Sequence, residues 1–179
     1  MIGFLRCVGI LNAAVWFGSA ISFTFGAGFV PFSQEMKNLL GPGNYPYFSG
    51  AIAELYIARY FYFQLGCAII AAVHLFAEWL YLGKYPQKLQ AGLLAGLAAA
   101  ILIGAFWLQP RMRALHATKY GVNSRPEVRE AAARSFRAWH GVSQVVNLVM
   151  VGALGVYLWR AANPTDQTRF VSAVKFTMR

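Results

Sequence analysis

Two residues four apart, His74 and Glu78, pose the first question of chemistry in this chain. On a helix they share a face, and an imidazole beside a carboxylate can relay a proton or help hold a metal ion. The same stripe runs back through Ala71 and Cys67 to Gln64 at spacings of three and four. A second stripe is made by His140, Ser143, Gln144 and Asn147, at i, i+3, i+4 and i+7. Asn12, Ser19 and Ser22 add polar groups to a third apolar region. Polar groups in an apolar medium need partners, so the stripes are expected to face one another. By position along the chain, Asn12, His74 and Glu78 belong to one half of the molecule. Gln64, His140, Gln144 and Asn147 belong to the other.

Such an interior admits several uses. One is a satisfied network of interhelical hydrogen bonds. Another is a solute or proton path lined by His74, Glu78, Asn12 and Asn147. A metal site would need a third ligand at the depth of His74 and Glu78, and none is visible, so no metal ion is expected. No cofactor is predicted, although a single histidine, His74 or His140, leaves axial ligation of a pigment or haem as an option. No nucleophile elbow, phosphate-binding loop or pair of catalytic acids occurs, and the chain is read as a non-enzyme.

The elements that position these residues follow from the charges. Arg6 to Glu35 encloses 28 residues without Lys, Arg, Asp or Glu; Arg59 to Glu78 encloses 18, Lys88 to Arg111 encloses 22, and His140 to Arg160 encloses 19. A helix needs about 20 predominantly apolar residues to cross a hydrocarbon core. Lipid offers the backbone no partners, so each stretch must be helical. The expected fold is all-α and polytopic, with four transmembrane helices over about 4–32, 56–82, 88–109 and 139–160. Residues 1–163 form that domain, and 164–179 form a polar, amphipathic tail on the surface. The first stretch continues through Phe23, Phe25, Phe29 and Phe32, too long for a cleaved signal, and is expected to be a retained span.

The composition agrees: 58% of residues are hydrophobic and 12% charged, against about 25% charged in soluble chains. The net charge of +10 comes from Lys and Arg flanking the spans, where anionic lipid headgroups are the expected partner and nucleic acid is not. Seven basic residues fall on the side of the termini and nine on the other, which leaves the orientation open. Cys7 and Cys67 lie in different spans and form no disulfide framework.

Between the spans, Gly41-Pro42-Gly43-Asn44 reads as a breaker inside a linker, with the second helix starting between Gly50 and Tyr56. Tyr45, Tyr47 and Phe48 read as an interfacial belt. Gly83-Lys84-Tyr85-Pro86 reads as a turn. Pro110 is expected to kink the third helix, which continues to Gly121, a C′ glycine. Ser124, Pro126 and Glu127 read as a capping box opening a single helix to Arg160. At 1.5 Å per residue its 36 residues reach roughly 54 Å, against a core of about 30 Å. The third and fourth helices should therefore extend past the bilayer as a basic hairpin.

Gly92, Gly96, Ala100 and Gly104, each four apart, make a small-residue ridge for close helix approach, either inside the bundle or onto another subunit. Two further segments carry a resemblance. Trp107-Leu108-Gln109-Pro110-Arg111 and Phe136-x-x-Trp139-His140-Gly141-x-Ser143-x-x-x-Asn147-Leu148 are similar to the transmembrane protein 205 family and its bacterial relatives. Trp16 with Gly28-Phe29, and Pro46-x-Phe48, agree in order and spacing. The chain departs at Gln109, where a family member can carry an acid. The resemblance covers about residues 5–160 and implies four spans in a bacterial inner membrane, with no known reaction. It draws attention to Trp107, Pro110, Arg111, His140, Ser143 and Asn147. The expected role is an accessory or scaffold subunit of a larger membrane complex, through other membrane subunits or self-association. The alternative is a small permease or metal- or ion-handling protein using the polar interior.

Overall fold

The computed structural model describes residues 2–83 and 87–163 of the chain. Its elements are α1 (Ile2–Phe25), a 3-10 turn (Ala27–Phe32), α2 (Gln34–Leu82), α3 (Lys88–Ile103), a π turn (Gly104–Leu108), α4 (Gln109–Tyr120) and α5 (Pro126–Ala162). No strand occurs among the described residues. Three helical stretches are long and apolar enough to cross a membrane: Gly3–Tyr81, Lys88–Tyr120 and Pro126–Ala162. The expected turn at 84–86 and the expected tail over 164–179 lie outside the described residues.

The first helix ends earlier than Pro31. Gly26 leaves helical geometry at φ −132° and ψ −87°, and the chain tightens into the 3-10 turn with Pro31 buried in it. A Cβ at Gly26 would press on the Ser22 carbonyl oxygen at 2.8 Å, and one at Gly28 on that of Phe23 at 2.8 Å. Glycine makes this turn possible, and Pro31 has no N–H with which to extend the α-helix.

The expected linker before residue 50 is helix instead. Ser33 accepts a hydrogen bond from the Met36 N–H at 3.2 Å and caps α2. Gly41 breaks the helix at φ 71°, ψ 161°, as a glycine can. Pro42 then restarts it, because its fixed φ suits a first helical position. From there the helix runs unbroken to Leu82, where Gly83, at φ 62°, donates to the Trp79 carbonyl at 2.9 Å. A glycine followed by proline, Gly41-Pro42, marks a helix restart here, not a loop.

Pro110 acts one turn before itself. The Gln109 N–H reaches the Gly104 carbonyl, five residues back, in a π turn. Proline lacks an N–H and crowds the carbonyl four residues behind it, and the wider turn accommodates both. The helix then continues to Tyr120, as expected. Gly121 closes it at φ −63° without the left-handed geometry of a C′ glycine. The capping box does not form: Arg125 precedes the helix with no side-chain cap, and Pro126 supplies the start. α5 is one helix of 37 residues.

The packing follows from these lengths. α1 lies between α2 and α5, and α3 closes the ring between the same two helices. Trp16, fully buried, is the centre of the core. Small residues let the helices close on it: Ala13 and Ala20 of α1, and Cys67, Ala68 and Ala71 of α2. Leu94, Leu97 and Ile101 of α3 and Leu154 and Tyr157 of α5 complete the cluster. Beyond that core α4 packs on α5 as a hairpin, and α2 lies against α4 as a third helix.

Candidate functional site

Polar groups of α2 and α5 converge on α1. Trp16 Nε1 donates to Gln64 Oε1, both side chains fully buried. Asn12 Nδ2 donates to the Cys67 carbonyl at 3.0 Å, and Asn147 Nδ2 donates to Thr24 Oγ1 at 2.7 Å. His74 Nε2 lies 2.9 Å from the Leu5 carbonyl oxygen, so that nitrogen carries the proton and donates. Glu78 Oε1 stands 3.9 Å from the same nitrogen. The His74 ring is seated on Gly9, where an added Cβ would come 2.9 Å from Nδ1 and closer still to the far edge of the ring. One helix thus collects polar groups from both neighbours through Leu5, Asn12, Trp16 and Thr24.

The α2 stripe faces α1 as expected, and on α5 Asn147 does the same, but the rest of the α5 stripe does not. His140 and Gln144 are exposed on α5, His140 stacked on Phe136 at 6.0 Å. Ser143 spends its hydroxyl on its own helix, donating to the His140 carbonyl at 2.7 Å. His74 bonds at Leu5 and Asn147 at Thr24, nineteen residues apart on α1 and so roughly 28 Å apart along the helix axis. Among the described residues no three His, Cys, Asp or Glu side chains come together as a metal site.

The small-residue ridge divides in two. Gly104 is buried against Phe61, where an added Cβ would lie 2.5 Å from the ring. Gly92 and Gly96 are exposed, and a Cβ on either would meet nothing within 4 Å. α3 buries Gln90, Leu94, Leu97 and Ile101 toward the bundle. Its glycine face therefore points outward, with exposed Ala95, Ala99 and Ile103 beside it.

Trp107 and Trp139 meet edge to face at 5.2 Å, with the Arg111 guanidinium 6.0 Å and 5.4 Å from their ring centres. These motif residues fasten α5 to the end of the third helical stretch. Each such aromatic or cation–π contact contributes about 0.5–1.5 kcal/mol.

A further cluster had no place in the sequence reading. Glu54 of α2 pairs with Arg113 Nε at 3.1 Å and lies 3.5 Å from His116 Nδ1. Gln109 Nε2 donates to the Glu54 backbone carbonyl at 3.4 Å. His116 is buried, stacked on Tyr47 at 5.4 Å and edge-on to Tyr120 at 5.0 Å. Tyr47, itself 44% exposed, covers His116 from the α2 side of this three-helix head. The ring edge bearing Nε2 presses on Gly50, and Nε2 has no hydrogen-bond partner among the described residues. The signal available in sequence was the spacing: 109, 113 and 116 share one face of α4, and 50 and 54 share one face of α2.

Burial holds the His116 imidazole below its ordinary range; the Glu54 carboxylate pulls it up and Lys119 pushes it down. The unfolded chain therefore binds this proton more tightly than the folded head. The contribution to stability is complete above the unfolded value of about 6.5 and is lost as pH falls. The midpoint of thermal unfolding in detergent should fall between about pH 7.5 and about pH 5, and fall less in His116→Gln. An equal fall in both proteins would remove His116 from the account.

The model of a domain of unknown function, DUF4149, matches residues 11–121, more than half of the chain. The chain belongs to that family. The DUF4149 match takes in most of α1 and all of α2, α3 and α4, with Trp16, Gln64, Glu54 and His116, and stops before α5. No curated protein matches the chain, and no solved structure does.

Proposed function

We propose that this DUF4149 protein is a four-span, non-enzymatic membrane protein that serves as an accessory or scaffold subunit of a larger membrane assembly, energy-transducing assemblies included. The spans are α1, the part of α2 beyond about residue 56, α3 and the part of α5 beyond about residue 139. The stretch Gly3–Tyr81 turns back on itself at Gly26–Gly41, and α1 packs beside α2, which supports two crossings. The resemblance to the transmembrane protein 205 family and its bacterial relatives supports the same count and a bacterial inner membrane.

One observation carries the role: the outward face of α3. Gly92 and Gly96 leave a bare strip of backbone with nothing packed on it. In lipid, close approach of backbones is what drives helices together, because the tails are as apolar as the side chains. The interior, by contrast, bonds Gln64 and His74 of α2 and Asn147 of α5 to α1. Exposed His140 and Gln144 on α5 add groups that gain from a protein neighbour. The test is a photo-crosslinking residue in place of Gly96, activated in native membranes. The expected result is a covalent adduct with another membrane protein; an adduct with lipid alone would contradict the reading.

A further inference from the structure

We infer that the Arg111 guanidinium, laid across the Trp107 and Trp139 indoles, is a binding site for the phosphate of an anionic phospholipid. The inference rests on the four-span reading and adds a ligand to it. The guanidinium carbon lies 6.0 Å and 5.4 Å from the two ring centres, contacts that use none of its N–H donors on an oxygen acceptor. Its N–H donors lie at the edge of the plane and are left for an acceptor. Among the described residues Arg111 has no hydrogen bond or ion pair. Its neighbour Arg113 shows the contrast, being tied to Glu54 at 3.1 Å.

No carboxylate of the head is placed to serve Arg111. Four acids lie in the head, Glu35, Glu54, Glu127 and Glu130, against nine basic residues. Glu54 is shared by Arg113 and His116, and Glu130 stands 3.7 Å from Arg134. An excess of positive charge beside a membrane draws anions to it.

The position selects the anion. Arg111 ends the uncharged stretch from Lys88, and Trp139 immediately precedes the stretch from His140 to Arg160. Tryptophans at such boundaries sit among lipid headgroups. A planar, weakly hydrated guanidinium accepts a phosphate through two parallel N–H···O bonds, which an ammonium cannot reproduce. The indole pair holds the fork in place before the lipid arrives, so little side-chain freedom is lost on binding.

The experiment is native mass spectrometry of the full chain in detergent with equimolar phosphatidylglycerol and phosphatidylcholine. Wild type is expected to retain phosphatidylglycerol in preference, and Arg111→Gln to lose about tenfold of that retention, the size of a lost charge-assisted pair. Arg137→Gln removes the same charge from a residue outside the ring cluster and should retain wild-type preference. Arg111→Lys keeps the charge and should still fall severalfold, which provides a reading if the glutamine variant does not fold. Excess inorganic phosphate should not displace the lipid; displacement would make the site one for free phosphate and overturn the assignment. Equal losses in Arg111→Gln and Arg137→Gln, or none in either, would also overturn it. The four-span reading fails separately, if alkaline carbonate releases the chain from membranes.

Discussion

Replacing Trp16 with alanine is expected to cost about 3 kcal/mol of stability, the low end of the range for a buried aromatic. The side chain is fully buried, edge-on to Tyr157 at 6.0 Å, in a core cluster whose other α1 and α2 members are Ala13, Ala20, Cys67, Ala68, Ala71 and Leu75. The alanines and Cys67 are too small to collapse into the space it leaves. The low end applies because separated helices would return the indole to lipid, so the loss is one of packing more than of transfer from water. Trp16→Phe retains part of the volume and removes the donor to Gln64. The Gln64 amide, whose Nε2 already has no partner among the described residues, would then be unbonded at both ends, at about 1–3 kcal/mol. Unfolding in mixed micelles measures both. A loss below about 0.5 kcal/mol for Trp16→Ala would be the behaviour of a surface position and would contradict the hub.

Gly50→Ala is expected to destabilise the head by about 1–3 kcal/mol, the cost of overpacking. The new methyl would lie 2.9 Å from His116 Cδ2 and closer still to Nε2. The imidazole cannot simply swing aside: Tyr47, Tyr120 and Phe136 surround it, and Glu54 holds Nδ1. Substituting alanine for His116 empties the same space. In that background Gly50→Ala should cost little, and a double-mutant cycle of the two unfolding energies gives the coupling directly. An unchanged cost would mean that the two residues do not meet.

Much of the architecture was legible because charge placement is a direct statement about solvent. Four uncharged stretches became helical elements, and α5 is one unbroken helix because no residue between Pro126 and Ala162 interrupts it. Trp107, Arg111 and Trp139 were legible as motif residues at two helix ends. Pairing across the bundle was not. Period and spacing put Gln64, His74 and Asn147 on faces, but nothing in them says that all three face α1. His140 and Gln144 share the α5 stripe with Asn147, yet the α-helix of α1 stops at Phe25 and offers them no partner. Gly41-Pro42 misled because the same two residues that end one helix can start the next. The Glu54 and His116 cluster depends on contacts about sixty residues apart, made after a π turn that shifts the register of α4. The glycine ridge was visible as a ridge, but its period gives no sign of whether the strip faces inward or outward.

The outward face of α3 is the centre of the account, and a comparison of positions tests it most directly. The photo-crosslinking residue is placed singly at Gly92, Gly96 and Val73, an exposed site on α2, and activated in intact native membranes. Capture of one and the same protein from Gly92 and Gly96, with lipid alone from Val73, is the predicted result. Equal capture at all three, or lipid adducts throughout, would mean that the glycine strip has no dedicated neighbour and would contradict the subunit role.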